Sequence, residues 1–143
     1  MFKPLDDTMS VSPQITVADL HTAAGLGIKA VINNRPDEEE SGQIASAELK
    51  RHAEALGMHY SHIPITLPNI TQLQIDKMVI ALSRAEGPVL AFCRSGTRST
   101  FLWALAEARL SQSPDELAAK AAMQGYDITP IRALLDTQAA SVA

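Results

Sequence analysis

The sequence predicts an α/β fold, a mostly parallel central sheet flanked by helices. Three observations carry this. Short strand-like runs, "KAVIN" (29–33), "MHYSHIPI" (58–65) and "VLAF" (89–92), alternate with segments of helical periodicity. The last run is apolar throughout, as a strand covered on both faces requires. The chain has 143 residues, 46% hydrophobic and 20% charged, which suits a single domain able to bury a substantial core.

Taken in order, residues 1–10 read as a loose lead-in and "VSPQ" (11–14) as a short edge strand. Thr16 opens a helix in a capping-box pattern with Asp19, placing Val17, Leu20 and Ala24 on one face before Gly25 and Gly27 end it. The strand at 29–33 follows, then a polar loop, "NRPDEEESG" (34–42), in which Pro36 breaks any continuation. A second helix is expected from about Ser41 to Leu56, with Leu49, Ala53 and Leu56 together and Gly57 as its stop. After the strand at 58–65 and a Pro-bounded loop, Thr71 starts a third helix whose Ile75, Met78, Val79 and Leu82 form the i, i+3, i+4, i+7 stripe. "EGP" (86–88) turns the chain into "VLAF". A helix to about Leu110 comes next, so apolar over 101–106 that it must be buried on several sides. Ser113-Pro114-Asp115-Glu116 caps a fifth helix that Gly125 ends, and Thr129-Pro130 opens the last. Parallel strands joined this way need right-handed crossovers, and ligands then bind at the carboxyl ends of the strands. Cys93 stands at one such end and Asn33 at another.

Composition narrows the function. The net charge is −4 and no basic stripe is interleaved with aromatics, which argues against nucleic acid as a partner. No apolar stretch is long enough to span a bilayer, so no membrane association is expected. The N-terminal residues lack the apolar segment of a secretory signal, and a lone cysteine suits a reducing compartment; a cytoplasmic protein is the expectation.

The chemistry concentrates in "VLAFCRSGTRST" (89–100), where a buried strand delivers the chain's one cysteine to a loop that enters a helix. A thiolate is the nucleophile, and a helix N-terminus with nearby arginines favours it over the thiol, whose ordinary pKa is about 8.5. Backbone N–H groups after Cys93 can converge on one point, and Gly96 permits the turn. Arg98 can fork onto an anion, while Ser95, Thr97 and Ser99 can donate to the ligand or within the loop. Arg94 is expected to face outward and set the potential at the mouth of the site. A buried structural cysteine would need none of this loop chemistry. A nucleophile, in turn, needs its sulfur reachable from solvent and the loop amides turned toward it.

"FCRSGTRS" resembles the active-site loop of rhodanese-type sulfurtransferases and also the phosphate loop of cysteine-dependent protein phosphatases. With "GIKAVINNRPDEEE" and "HYSHIPI" upstream, the chain resembles the bacterial beta-lactamase-hydrolase-like, phosphatase-like domains over about residues 8–136. The resemblance implies a cysteine-phosphatase-like scaffold with Cys93 and Arg98 as the catalytic pair.

Two features separate the chemistries. The phosphatase signature places five residues between cysteine and arginine, whereas Arg98 follows Cys93 after four, the rhodanese spacing, and position 99 is serine. A tighter ring suits a terminal persulfide sulfur better than a phosphoryl group. A general acid, typically worth about 10²–10⁴-fold, is also needed to protonate a poor leaving oxygen. The comparable segment "HIPITLPNITQ" (62–72) holds no Asp or Glu, Thr66 stands where the acid is sought, and Asp76 falls inside the third helix. The leading expectation is therefore a sulfurtransferase that carries sulfane sulfur from thiosulfate or a persulfide on Cys93 to an external thiol. A cysteine phosphatase working through a Cys93 phosphoenzyme is the second reading, and a non-catalytic binder of anions or persulfides the third.

Arg35, at the end of the second strand, can meet an anionic substrate or pair with the acids at 37–40, one of which can orient an active-site arginine. His59 and His62 would point to opposite faces of a strand, so no metal site is expected, and no cofactor. Phe101 and Trp103 read as core.

Overall fold

The computed structural model describes residues 2–142. Strands β1 (Lys3–Pro4), β2 (Met9–Ser12), β3 (Ala30–Asn33), β4 (His59–His62) and β5 (Val89–Phe92) form one sheet in the order β1-β2-β5-β3-β4. The last four run parallel, and β1 lies antiparallel on the outer side of β2. Six α-helices accompany them: α1 (Val17–Gly25), α2 (Ser46–Ala55), α3 (Gln72–Arg84), α4 (Thr97–Arg109), α5 (Pro114–Met123) and α6 (Arg132–Ala140).

Side chains alternate across a strand, so β5 serves two cores at once. Leu90 and Phe92 join Val31, Leu20, Ala23, Leu49 and Ala53 on the face covered by α1 and α2. Val89 and Ala91 join Val11, Ile32, Met78 and the inner residues of α4 on the other face, where α3, α5 and α6 pack. This is why "VLAF" has no polar residue: all four positions are buried. Helix α4 lies among α3, α5 and α6, and its residues 99–106 are buried without interruption. Chain order switches direction around β5, since β2 leads across it to β3 while β4 returns to it, and a crevice opens there at the carboxyl edge.

Capping follows the sequence at three helices, with Ser113 at the N-terminus of α5 accepting the Glu116 N–H. Thr16 with Asp19, and Thr71 with Gln74, form reciprocal capping boxes at α1 and α3.

Several boundaries differ from expectation. The supposed lead-in contains β1 and the start of β2, and β2 is an inner strand between β1 and β5 rather than an edge. Its neighbours on both sides come from distant or reversed chain, which local pattern does not reveal; Met1 lies outside the described residues. Helix α2 starts at Ser46, not Ser41, because Gly42 takes φ 79° and the Asp37 carboxylate accepts the Ser46 N–H across the loop at 2.8 Å. β4 is short: the Ile63 N–H still continues the ladder to the Asn33 carbonyl, but the Ile65 N–H slips out of register to the Asn34 carbonyl. Thr129–Ile131 forms a 3-10 turn before α6.

No helix is long and apolar enough to cross a membrane among the described residues.

Candidate active site

β5 places Cys93 between the ends of its two neighbours. The Cys93 N–H still donates to Ser12 of β2 at 3.4 Å, and the Asn34 N–H donates to the Phe92 carbonyl at 2.8 Å from the β3 side. The chain then turns at Gly96, whose φ of 94° is open to glycine and costly for other residues. Gly96 is also the N-cap of α4, so the loop is the first turn's antechamber, and the helix dipole adds positive potential there.

One loop amide reaches the sulfur: the Gly96 N–H donates to Cys93 Sγ at 3.1 Å. The hydroxyls that sequence offered as donors take different paths. Ser95 Oγ donates to Thr97 Oγ1 at 3.0 Å and accepts the Thr97 N–H at 3.3 Å, so both stiffen the loop itself. Ser99 is buried, and its Oγ has no partner among the described residues. Arg94 is exposed, its guanidinium 3.8 Å from Glu40. Of the ring of loop amides expected around the sulfur, one is turned to it, and the expected opening to solvent is absent, since Cys93 is 0% exposed.

Arg98 is held by a residue far away in sequence. Its Nη1 and Nη2 donate to the two carboxylate oxygens of Glu39 at 2.7 and 2.8 Å, and Nη1 also donates to the Ile65 carbonyl at 3.1 Å. A guanidinium has five N–H groups. The two that remain, on Nε and Nη2, share one edge of the plane and donate to no oxygen or nitrogen of the described residues, while the Cys93 side chain is the other group that favours the charge of this guanidinium. That edge has the spacing to grip two oxygens of one anion. The hydrogen bond to Glu39 is the main reason Arg98 is held protonated above the ordinary arginine value; burial opposes it, and Cys93 contributes in the same direction as Glu39.

Glu39 is the centre of this network. Its carboxyl is lowered from 4.5 to about 2, chiefly by the Arg98 hydrogen bond, against a cost of burial, with further help from Arg35. Arg35 is fully buried. It donates from Nε to Glu39 at 2.8 Å, from Nη1 to Gln14 at 3.0 Å and from Nη2 to Glu40 at 3.1 Å, while Asn33 accepts its N–H and the His62 ring binds its carbonyl. Its guanidinium thus faces three protein acceptors from two segments, and it braces the acidic loop 36–42.

A pH test follows. Because the folded value of Glu39 is depressed, its contribution to stability is complete above about 4.5 and disappears as pH falls toward about 2. Glu39→Gln is expected to melt below the wild type at neutral pH, with the gap in melting temperature closing across that acid window. A gap independent of pH would show that Glu39 acts by packing instead.

By sequence any of the acids at 37–40 can orient the arginine; the structure singles out Glu39. Gln14, the Ile65 carbonyl and Tyr126, whose hydroxyl donates to the Ser95 carbonyl at 3.0 Å, join the site only in the structure. No motif marks these, since each reaches the loop from a different element. A separate groove of about 770 Å³ runs between β4 and α3, lined by His59, Tyr60, Lys77 and Arg84 among others, and does not include the loop.

The family model described as beta-lactamase hydrolase-like protein, phosphatase-like domain, matches residues 1–110. A beta-lactamase hydrolase-like protein of Agrobacterium fabrum is 36% identical over 141 residues, 96% of this chain but 32% of its own length. The chain therefore spans about a third of the curated relatives it matches. A crystal structure from Neisseria meningitidis Z2491, described as a candidate phosphatase, superposes with a TM-score of 0.82 at 36% identity, covering 96% of this chain and 97% of that one. The core catalytic domain of a PP-IP phosphatase from S. cerevisiae, in complex with citrate, gives a TM-score of 0.70 at 15% identity over 94% of this chain and 83% of that one, a likeness of fold. The family model and the Neisseria structure point to a phosphatase-like domain, so the expectation that put sulfur transfer ahead of the phosphatase reading is reversed.

Proposed function

The chain belongs to the beta-lactamase hydrolase-like, phosphatase-like domain family, and from that premise we propose that it is a cysteine-dependent phosphatase acting on phosphoryl groups with good leaving groups. The observation that carries this reading is the free edge of Arg98, held beside the Cys93 loop by the two-pronged grip of Glu39. The Cys93 thiolate attacks phosphorus, an S–P bond forms, and the P–O bond to the leaving group breaks. Water then attacks the phosphocysteine, releasing inorganic phosphate and returning the thiolate. Arg98 and the Gly96 N–H counter the charge on the equatorial oxygens and on sulfur.

The leaving-group preference comes from the missing acid. Segment 62–72 has no carboxyl group. Glu39, which does face Arg98, sits at about 2 and is ionised at neutral pH, so it has no proton to give. Phenolates from aryl phosphates, carboxylates from acyl phosphates and phosphates from phosphoanhydrides leave without one. Aryl phosphates are expected to turn over at least about 10²-fold faster than alkyl phosphates, the value of the absent proton transfer. Equal rates on both would require an acid that this reading does not contain.

Since Cys93 is closed to solvent in this structure, the reading requires the loop region to open. Iodoacetamide should alkylate Cys93 in the native protein; a thiol that reacts only after unfolding would overturn both the phosphatase and the sulfur-transfer readings. The four-residue spacing from Cys93 to Arg98 favours sulfur transfer as the second reading. Intact mass after rapid quench decides between them. An added phosphoryl group on Cys93 after aryl phosphate supports the first, and one added sulfur after thiosulfate or glutathione persulfide, without any phosphoenzyme, supports the second. The substrates of the longer relatives, and any protein partner, lie beyond this reading.

A further inference from the structure

We infer that Tyr126, beyond the residues matched by the family model, is a positioning residue that sets the orientation of the one loop peptide whose N–H bonds the nucleophilic sulfur. The peptide in question joins Ser95 to Gly96. It is trans, so its C=O and its N–H point in opposite directions. The N–H is the Gly96 group that donates to Cys93 Sγ at 3.1 Å. The C=O is the Ser95 group that accepts from the Tyr126 hydroxyl at 3.0 Å. Tyr126 holds one end of a rigid plane and thereby aims the other end at the sulfur. Rotation of this plane by half a turn would put a carbonyl oxygen, partly negative, where the donor stands, and oppose a thiolate.

Gly96 and Tyr126 fit one another. A Cβ on Gly96 would fall on the Tyr126 hydroxyl, so the absence of a side chain lets the phenol reach the loop, in addition to permitting the left-handed φ. The phenol itself is fixed. Tyr126 is buried in the α4–α6 side of the core and follows the glycine that ends α5, with its N–H bonded to the Ala121 carbonyl at 3.0 Å. The Lys3 ammonium lies 4.9 Å from the ring centroid. The C-terminal helices thus do more than cover the sheet: they anchor the group that orients the loop.

The test is Tyr126→Phe, which keeps the ring and removes the donor. The readout is the rate at which iodoacetamide alkylates Cys93 across a pH series, a measurement that does not depend on which reaction the protein catalyses. One neutral hydrogen bond is worth about 1 kcal/mol, so the rate at neutral pH should fall roughly fivefold and the rise of the profile should move to higher pH. Where aryl phosphate turns over, kcat should fall while KM stays within about twofold. Tyr126→Leu is expected to move the profile in the same direction by at least as much. An unchanged profile in a folded Phe variant, whatever its melting temperature, would overturn the inference, as would failure of both variants to fold, since the residue would then be a core element rather than a local guide. A full alkylation effect with no phosphatase activity in the wild type would uphold the role of Tyr126 and reject the phosphatase reading.

Discussion

Cys93→Ser is expected to lower turnover of aryl phosphates by about 10⁴-fold or more while leaving the protein folded. In the proposed reaction the thiolate is both the attacking atom and the group that leaves in the second half-reaction, and a serine hydroxyl is ionised to a negligible extent at neutral pH. The site offers it no base: the carboxylate nearest the loop arginine, Glu39, is engaged by Arg98 and Arg35. Structurally the exchange is mild. Serine is slightly smaller, and its oxygen can accept the Gly96 N–H that now goes to sulfur. The cost of a more polar atom at a fully buried position is about 1–2 kcal/mol, enough to lower the melting temperature by several degrees but not to unfold a domain of this size. Steady-state kinetics with circular dichroism on the same sample checks it. Activity within tenfold of the wild type would remove Cys93 from the chemistry.

Arg98→Lys should cost about 10²–10³-fold in kcat/KM, a larger loss than charge conservation suggests. The free edge of Arg98, Nε with Nη2, offers two parallel N–H groups to an anion because Glu39 fixes the plane from the adjacent Nη1–Nη2 edge. An ammonium has no plane to orient. It would follow Glu39, the nearest full negative charge, and present no paired donors to a phosphoryl group. Glu39→Gln, by comparison, keeps an acceptor for Arg98 and loses charge, so its effect on kcat/KM should be an order of magnitude smaller. If the lysine and glutamine variants suffer equally, Arg98 serves Glu39 structurally and does not grip the substrate. The measurement is kcat/KM for all three proteins with one aryl phosphate.

Much of the fold was legible because its signals are local. The capping boxes at Thr16 and Thr71, the β-branched runs and the all-apolar "VLAF" depend on neighbours within a few residues, and each appears in the structure near its expected place. Strand β2 was misplaced to an edge because pairing order depends on the whole chain, and α2 was begun too early because the cap at Ser46 comes from Asp37, nine residues upstream. Arg35 illustrates the limit most directly. From sequence it stood equally ready for a substrate or for the adjacent acids; the fold commits its donors to Gln14, Glu39 and Glu40.

By itself the sequence marked Cys93, the glycine turn and Arg98 as the candidate site, because residues 93–98 are contiguous and a strand–loop–helix junction brings them together without help from the rest of the chain. Only the tertiary structure decided how that loop is aimed. The carboxylate that orients Arg98 lies 59 residues away and the phenol that grips the Ser95 carbonyl 31 residues away. Hydrogen bonds of that kind have no spacing rule, since they exist only once the crossovers have stacked the helices on the sheet.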